Sequence, residues 1–407
     1  MNSSPSIRTF LFSASLGLPL LVAACGGGGG STSSTSSATT TSNQLAITVE
    51  QNPDVTAIEP TTVTTDVPYA TVTVCDASNN CQSIPHVTVD TGSYGLRLLQ
   101  SALTSVNLPL DTTSSGQDLA ECEIFGSGYT WGGVAHAVIK LAGETTSSIP
   151  IEIIGAPGLP SAPAACTAKD PTDAGSISVI HSNGILGVGP MIADRGDYFS
   201  CTSSACTPLS GSSTPATSAM VSNPVAFFSS SDTNGIVFQL PAVSASGAAA
   251  TSGTVTFGVG TQSDNSISGY TVIPLDNVGH LMVQVGGKSY VSSYLDSGSS
   301  LYVAPFNVPY NTSTDYFSPS SLQQIPIVLT SNSGSSTSSY SSSVDLASPA
   351  SLSLSPSLVA FDDIGIYSTS TTTVDLGLPF FFGKTIAYVF NGMSSSAGTG
   401  PLNAIAP

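Results

Sequence analysis

Two short stretches of the sequence carry an aspartate, a small hydroxyl residue, a glycine and a serine in the same order, each directly after an apolar run. The first is Asp90-Thr91-Gly92-Ser93, and the second is Asp296-Ser297-Gly298-Ser299. A strand that runs into a glycine-containing turn can present its terminal carboxylate, because glycine adopts backbone angles that other residues resist and permits close approach. The repeat therefore predicts two similar halves, each delivering one carboxylate to a shared site.

Such a pair of carboxylates has a defined chemistry. Two carboxylates a few ångströms apart cannot both ionise easily, so they share a proton and one pKa rises. The pair can then act as base and acid on one bound water. Ser93 and Ser299 stand where their hydroxyls can donate hydrogen bonds that orient the two carboxylates.

The ordered set of motifs resembles the pepsin-like aspartic peptidases. Besides the two Asp stretches, Ile124–Gly128 is similar to the flap hairpin of that family, and Asn183–Gly189 is similar to the apolar segment that supports the first Asp loop. Leu376–Phe382 is similar to the counterpart of that segment in the second half. The resemblance extends from residue 69 to the C-terminus. It implies an all-β, bilobal fold with two similar six-stranded, barrel-type lobes and the active cleft between them.

The resemblance also implies a role for each residue of the two motifs. Asp90 and Asp296 match the catalytic pair, and the supporting residues are Thr91, Gly92, Ser93, Ser297, Gly298 and Ser299. Among these, Thr91 and Ser297 match the hydroxyl residues that lock the two Asp loops together. The implied activity is that of an aspartic endopeptidase, with an extended peptide or protein as substrate. No cofactor, no metal and no nucleic acid are expected, and the protein is expected to be a monomer.

Two departures from the family leave a second function open. Phe125, beside Gly126 and Ser127 at the flap tip, falls where the family usually carries a tyrosine, and Arg97 falls where it commonly carries a tryptophan. A phenylalanine cannot donate a hydroxyl hydrogen bond, and an arginine near the two carboxylates would favour ionisation of both. The alternative is therefore a catalytically inactive binding or inhibitory module with the same fold.

Arg97 itself has two interpretations. In the first, its guanidinium lies over Phe125 as a cation–π pair and faces acidic groups of the substrate. In the second, it points to solvent or pairs with an acid in a loop. Tyr94, Tyr129 and Trp131 are candidates to supply the hydroxyl or indole N–H that the flap lacks.

The N-terminus predicts an exported, lipid-anchored protein. Residues 1–24 are predicted to be a signal peptide, in which Arg8 precedes an apolar run that is too short for a lasting transmembrane helix. The sequence Val-Ala-Ala-Cys that ends at Cys25 resembles a bacterial lipobox, which makes Cys25 the lipidated first residue. A secretory signal with a chance cysteine is the alternative. Residues 25–44, nearly all Gly, Ser, Thr and Ala, predict a flexible tether. Gly26 after the cysteine suggests the outer membrane if the source is Gram-negative.

Composition agrees with an exported β-rich protein. The full chain has 7 basic and 25 acidic residues, and removal of residues 1–24 removes only Arg8, which leaves 6 minus 25, a net charge of −19. Such a charge argues against nucleic acid or an anionic lipid surface as a partner. The chain beyond the tether exceeds one ordinary core, so we expect an N-terminal lobe over residues 45–267 and a C-terminal lobe over residues 268–407.

Seven cysteines occur, and six remain once Cys25 is set aside. An even number in an exported chain indicates disulfides, although their connectivity cannot be deduced from sequence alone. Pairs chosen by proximity along the chain, with the last pair left over, are Cys75–Cys81, Cys201–Cys206 and Cys122–Cys166. A zinc site is not expected, because the chain has no Cys-x-x-Cys and its four histidines are scattered.

Overall fold

The computed structural model describes residues 43–60, 62–211, 214–332, 338–350 and 357–407. The predicted signal peptide, the lipidation site at Cys25 and the tether up to residue 42 lie outside the described residues. Gln44, predicted to belong to the tether, begins the first strand, and Asn43 before it is buried. Asn43 and Gln44 are therefore part of the folded body.

The predicted all-β class is confirmed. The strands of the first part of the chain are β1 (Gln44–Val49), β2 (Pro68–Cys75), β3 (Cys81–Asp90), β4 (Tyr94–Leu99), β5 (Asp118–Phe125), β6 (Gly128–Leu141), β7 (Glu144–Ile154), β8 (Gly184–Val188), β9 (Asp197–Cys201), β10 (Cys206–Pro208), β11 (Gly235–Gln239) and β12 (Thr251–Phe257). Those that follow are β13 (Thr271–Pro274), β14 (Leu281–Val285), β15 (Lys288–Leu295), β16 (Tyr302–Ala304), β17 (Gln323–Thr330), β18 (Ser339–Leu346), β19 (Gly365–Tyr367), β20 (Asp375–Leu376), β21 (Thr385–Val389), β22 (Ser394–Ser395), β23 (Gly398–Thr399) and β24 (Leu402–Ile405).

Helices are short wherever the chain is described. They are α1 (Pro53–Ile58), α2 (Ala164–Thr167) and α3 (Ile177–Ile180), with 3₁₀ turns at Gln100–Ala102, Thr217–Ala219, Pro224–Phe227 and Leu378–Phe380. Among the described residues, none of these helices has the length and apolar character needed to cross a membrane.

Alternation of apolar and polar residues explains why these segments form strands. In β1, Leu45, Ile47 and Val49 are buried, while the residues between them are less so. In β2, Val72 and Val74 are fully buried on one face. Successive side chains of a strand point to opposite faces, so this pattern places one face on the core.

The first half closes into a ring of six strands. β2, β3, β8, β4, β7 and β6 are neighbours in that order, and β6 pairs again with β2. Pairing of the first strand with the last removes the open edges that a flat sheet would expose. The interior of this ring is filled by apolar side chains from β2, β3, β4, β6 and β7.

A run of six strands joins the two halves. β1, β12, β11, β21, β24 and β13 follow one another in the same sheet that contains the ring, so this sheet combines strands from the early and late parts of the chain. A second sheet, in the order β18, β17, β14, β15, β20, β16, β19, belongs to the later part alone. The second Asp stretch lies after β15 of this sheet.

All three predicted disulfides are present: Cys75–Cys81, Cys122–Cys166 and Cys201–Cys206. Cys75 and Cys81 close the turn between β2 and β3, and Cys201 and Cys206 close the turn between β9 and β10. Cys122–Cys166 is different, because it joins β5 to α2 across 44 positions. It therefore ties a long loop to the hairpin that carries the flap.

Candidate active site

Each aspartate of the two motifs stands at the end of a strand, and both strands are held in the same three-strand arrangement. β3 ends at Asp90, and β8 lies between β3 and β4, parallel to β3 and antiparallel to β4. β15 leads to Asp296 in the same way, with β20 parallel to β15 and antiparallel to β16. The second half thus repeats the first around its own carboxylate.

Asp90 is oriented by its own loop. Its Oδ1 accepts hydrogen bonds from the backbone N–H of Gly92 at 2.7 Å and of Ser93 at 3.2 Å, and its Oδ2 accepts one from Ser93 Oγ. A Cβ atom added to Gly298 of the opposite loop would lie 2.5 Å from Asp90 Cγ, closer than real Cβ atoms approach. Glycine at this position is therefore what lets the second loop come up to the first carboxylate.

Asp296 is oriented by an equivalent set of donors. Its Oδ1 accepts hydrogen bonds from the backbone N–H of Gly298 at 2.8 Å and of Ser299 at 3.2 Å, and its Oδ2 accepts one from Ser299 Oγ at 3.1 Å. A Cβ atom on Gly92 would lie 2.5 Å from either carboxylate oxygen of Asp296. The two carboxyl groups, hereafter the dyad, are thus close neighbours.

The dyad has the electrostatics needed to share a proton. Burial raises the pKa of Asp296 well above its ordinary value, and the charge of Asp90 and a hydrogen bond to it raise this pKa further. Asp90 is itself largely buried, with 6% of its surface exposed. The raised pKa favours a proton on Asp296, so this carboxyl group can act as an acid beside Asp90.

Thr91 and Ser297 interlock the two loops. Ser297 N–H donates to Thr91 Oγ1 at 2.9 Å, and Thr91 N–H donates to Ser297 Oγ at 3.1 Å. Each hydroxyl in turn donates across the interface, Thr91 Oγ1 to Leu295 O at 3.1 Å and Ser297 Oγ to Val89 O at 2.7 Å. These four bonds are buried, so they fix the distance between the halves where the carboxylates meet.

A cleft of about 600 Å³ opens over the dyad. Asp90 and Asp296 both line it, together with residues of both halves. On the side of the second half, Tyr310 and Tyr367 stack with their ring centroids 4.1 Å apart and their planes 7° from parallel.

The predicted flap covers this cleft. β5 and β6 form a hairpin in which Phe125 pairs with Gly128, and Gly126 and Ser127 form the turn between them. Phe125, Gly126 and Ser127 all line the cleft. The structure therefore brings the three predicted flap residues together with the dyad.

No substitute for the missing flap hydroxyl comes from the three aromatic residues proposed for that role. Tyr94 Oη donates to Val278 O at 3.1 Å, and Trp131 Nε1 donates to Pro160 O at 2.9 Å. Tyr129 is buried, with 8% of its surface exposed. None of the three lines the cleft, so that hypothesis is wrong.

Arg97 is fully buried among four acidic side chains, a group hereafter called the Arg97 cluster. Its Nη2 lies 2.7 Å from Glu121 Oε1 and 2.6 Å from Asp194 Oδ2, and its Nε lies 3.1 Å from Glu152 Oε2. Glu123 Oε2 is 3.7 Å from Nη2. Burial raises the pKa of Glu121 well above its ordinary value, that of Glu123 to about 7 and that of Glu152 to about 8. The cluster therefore keeps protons near neutral pH.

These contacts decide between the interpretations of Arg97. Its Cζ lies 5.5 Å from the centroid of the Phe125 ring, so the predicted cation–π contact is confirmed. Pairing with a loop acid is also confirmed, by Asp194. The predictions that the guanidinium points to solvent or faces the substrate are both wrong, because the acids of the Arg97 cluster enclose this group.

The predicted effect of Arg97 on the dyad is wrong as well. The pKa of Asp296 is raised by burial, Asp90 and Asp375, and Arg97 is not among its causes. The physical reason is compensation, since the positive charge of Arg97 is surrounded by the carboxyl groups of its own cluster. Arg97 is therefore a structural residue beneath the flap.

Three acids of the Arg97 cluster have the spacing of a metal site. Glu121, Glu123 and Asp194 bring one ligand atom each within 4.8 Å of one another. Arg97 Nη2, however, already contacts Glu121 and Asp194, and it places positive charge where a cation would bind. We therefore assign this group to charge compensation and not to metal binding.

Asp375 is the residue of this site that sequence reasoning missed. It forms β20 with Leu376, is 4% exposed, and its Oδ2 lies 2.5 Å from Ser299 Oγ. The available signal was an aspartate inside the otherwise apolar run Val374–Phe382. Glu152, inside the apolar segment Ile149–Ile154, carries the same signal, because an acid in a buried strand needs a partner.

The family described as "Protein of unknown function (DUF3443)" matches residues 39–405 of this chain. No curated protein sequence matches it. Among solved structures, the crystal structure of an aspartic proteinase from Irpex lacteus is similar to it, with a TM-score of 0.47 and 14% sequence identity. That match covers 89% of this chain and 96% of the other.

Proposed function

Because the chain belongs to the DUF3443 family, whose function is unknown, the site itself must indicate the function, and we propose that the protein is an aspartic-type endopeptidase. One observation carries the proposal. Two carboxyl groups from equivalent loops, each bound by its own glycine N–H and serine hydroxyl, face each other at the floor of a cleft. Nothing in core packing alone requires two buried acids to be set so close together.

The proposed reaction uses the proton that the raised pKa keeps on Asp296. Asp90 takes a proton from a water held between the two carboxyl groups, and the water oxygen bonds to the carbonyl carbon of the peptide. Asp296 gives its proton to the carbonyl oxygen. When the C–N bond of this tetrahedral intermediate breaks, Asp90 passes its proton to the leaving nitrogen and the proton on the former carbonyl oxygen returns to Asp296. No covalent bond to the protein forms.

The cleft supports an extended peptide as substrate. The flap turn at Gly126 and Ser127 offers backbone groups on one side, and the stacked pair Tyr310 and Tyr367 offers an apolar wall on the other. A peptide in extended form presents its N–H and C=O groups to such a flap and its side chains to the walls.

We further propose that the protein acts at the bacterial cell envelope, anchored through lipid on Cys25. This rests on the lipobox-like sequence and the small-residue tether that follows it. Mass spectrometry of the membrane fraction, which would give a lipidated N-terminal cysteine in the native chain and none in Cys25→Ser, tests the anchor.

A second function is favoured by one residue. Phe125 occupies the flap without a hydroxyl, and none of Tyr94, Tyr129 and Trp131 lines the cleft to replace it. The alternative is accordingly a binding or inhibitory module that holds a peptide in the same cleft without hydrolysing it.

The deciding experiment is cleavage of a mixed peptide library from acidic to mildly alkaline pH. Asp90→Asn and Asp296→Asn should each lose about 10²- to 10⁴-fold in rate while keeping the fold, because each removes one proton-transfer partner. Asp363→Asn is the matched control, since Asp363 is a buried acid of the second half that does not act on Asp296. Binding of library peptides by the folded native chain without cleavage at any pH would establish the binding module instead.

A further inference from the structure

A third carboxyl group lies beside the dyad. Asp375 sits on β20, directly between the strand that leads to Asp296 and β16. Asp296 N–H donates to Leu376 O at 3.1 Å, which fixes β20 against the second Asp loop. The main chain thus holds Asp375 next to the dyad whatever its side chain does.

This third acid exists on one side only. Two residues before Asp90, Thr88 pairs with Ile185, and two residues before Asp296, Tyr294 pairs with Asp375. Ile185 and Asp375 therefore occupy equivalent places in the two halves. An apolar residue suffices there for the strand to pack, so packing does not explain an aspartate at 375.

The hydroxyl of Ser299 connects Asp375 to the dyad. Ser299 Oγ lies 2.5 Å from Asp375 Oδ2 and 3.1 Å from Asp296 Oδ2. A hydroxyl has one proton to donate and can accept as well. If Ser299 donates to Asp296, the short contact to Asp375 needs a second proton, and only Asp375 can supply it.

The surroundings of Asp375 favour its neutral form. Its Oδ1 has no hydrogen-bond partner within the described part of the chain. Burial raises the pKa of Asp375 to about 8, the Ser299 hydroxyl opposes this rise, and the charge of Asp90 adds to it. No positively charged group of the described residues acts on this pKa.

The other titratable groups around Asp375 do not supply a counter-charge. On β15, Tyr294 is buried, and its own pKa is raised well above its ordinary value by burial and by Asp375. On β16, Tyr302 donates its hydroxyl to Asp362 O instead. Asp296 follows β15 and is itself an acid. None of these neighbours supplies a positive charge that would stabilise an ionised Asp375, so they favour its protonated form.

We propose that Asp375 is a third proton-carrying acid of this site, which donates to Ser299 Oγ and thereby directs the Ser299 hydroxyl onto Asp296. Asp375 is a positioning residue, because it acts through Ser299 and does not touch the substrate. Its effect on catalysis rests on the proposed peptidase function, whereas the proton on Asp375 does not.

The arrangement has a consequence at higher pH. When Asp375 loses its proton, it competes with Asp296 for the single hydroxyl proton of Ser299 and adds a negative charge beside the dyad. Both changes make Asp296 hold its own proton more tightly. A site with Asp375 therefore keeps its catalytic acid protonated to higher pH than a two-carboxyl site does.

Two variants of the full-length protein separate the charge of Asp375 from its hydrogen bond. Asp375→Asn keeps a donor for Ser299 but cannot ionise, so the alkaline limb of the rate–pH profile should move to lower pH by roughly one unit while the acidic plateau stays within about twofold. Asp375→Leu should shift the limb equally and lower the plateau, since the donor is lost as well. Asp363→Asn, another buried acid of the same half, should leave the profile unchanged.

A direct titration keeps the test independent of activity. In protein labelled with ¹³C at the aspartate carboxyl carbons, the apparent pKa of Asp296 should be lower in Asp375→Asn than in the native chain. An Asp296 titration that is unchanged in Asp375→Asn overturns the inference, as does an acidic plateau that Asn lowers as much as Leu. A shifted titration in a protein that cleaves no peptide would refute the proposed function and leave the role of Asp375 standing.

Discussion

Thr91 and Ser297 lie 206 positions apart, and the side-chain oxygen of each accepts a hydrogen bond from the backbone N–H of the other. The two residues therefore do more than flank the dyad. They couple the position of one Asp loop to that of the other, so that a change in the packing between the halves changes the geometry of the site.

Replacement of Thr91 by valine tests this coupling. The variant keeps the shape but removes the acceptor for Ser297 N–H and the donor to Leu295 O, both buried. Leu295 O keeps a donor in the Tyr388 hydroxyl at 3.2 Å, so Ser297 N–H is the buried group that loses its partner. Such a group costs about 1–3 kcal/mol, and we expect the free energy of unfolding in urea to fall by roughly that amount. Thr73→Val, which removes an exposed hydroxyl contact between β2 and Ser83 of β3, is the control and should change this free energy by less than about 0.5 kcal/mol. Equal effects of the two variants would contradict the coupling.

Stability should depend on pH through the Arg97 cluster. Burial raises the pKa of Glu123 to about 7 and that of Glu152 to about 8, from an ordinary value of 4.5. Between the ordinary pKa and the raised pKa, the folded chain keeps protons that the unfolded chain has released. The stability that these protons contribute is therefore present in acid and is lost as pH rises through the folded-state pKa. The free energy of unfolding should fall by about 1.4 kcal/mol per pH unit for each such proton.

Urea unfolding at a series of pH values between 4.5 and about 8 measures this slope. Glu152→Gln mimics the protonated carboxyl and can still accept the hydrogen bond from Thr130 Oγ1. Glu152→Gln should therefore reduce the loss of unfolding free energy as pH rises toward about 8. A stability that rises from acidic to neutral pH would show that other groups dominate.

Arg97→Met should destabilise the first half strongly. Removing the one cation leaves the buried acids of the Arg97 cluster uncompensated, and breaking a buried ion pair from one side costs about 3–5 kcal/mol. The loss should be smallest at acidic pH, where these carboxyl groups are protonated. Arg195→Met, which removes an exposed arginine whose Nη2 donates to Asn277 O, is the control and should lose far less. A small loss at neutral pH for Arg97→Met would mean that the cluster tolerates its acids without the guanidinium.

Phe125→Tyr tests whether the flap lacks only a hydroxyl. If the protein is a peptidase, a tyrosine at the cleft-lining position 125 adds a donor for the bound peptide, and one net hydrogen bond corresponds to roughly a two- to tenfold rise in kcat/KM. Phe227→Tyr, at a partly buried phenylalanine outside the cleft, should leave kcat/KM unchanged. An unchanged kcat/KM in Phe125→Tyr would show that the flap acts through its backbone and shape.

Several features of this protein were predictable because they are local in sequence. A strand that ends in aspartate and enters a glycine turn can be recognised at both Asp90 and Asp296, and the alternation in β2 identifies a strand with one buried face. The disulfides Cys75–Cys81 and Cys201–Cys206 close turns of a few residues, so sequence distance is a good guide to their pairing.

Other features depended on which side chains meet in space. Arg97 and its acids come from β4, β5, β7 and a loop, and no spacing rule links these positions. Asp375 could be noticed as an acid in an apolar run, but its contact with Ser299, 76 positions away, exists only after β20 is placed beside β15.

By itself, the sequence determined the β class, the repeated Asp loops and the flap, because backbone geometry and side-chain alternation act over a few neighbouring residues. Only the tertiary structure decided the charge state around them. Burial and the identity of distant neighbours set the pKa of an acid. For Asp296 those neighbours are Asp90 and Asp375, whereas the charge of Arg97, which is close to Asp90 in sequence, is compensated by the acids of its own cluster.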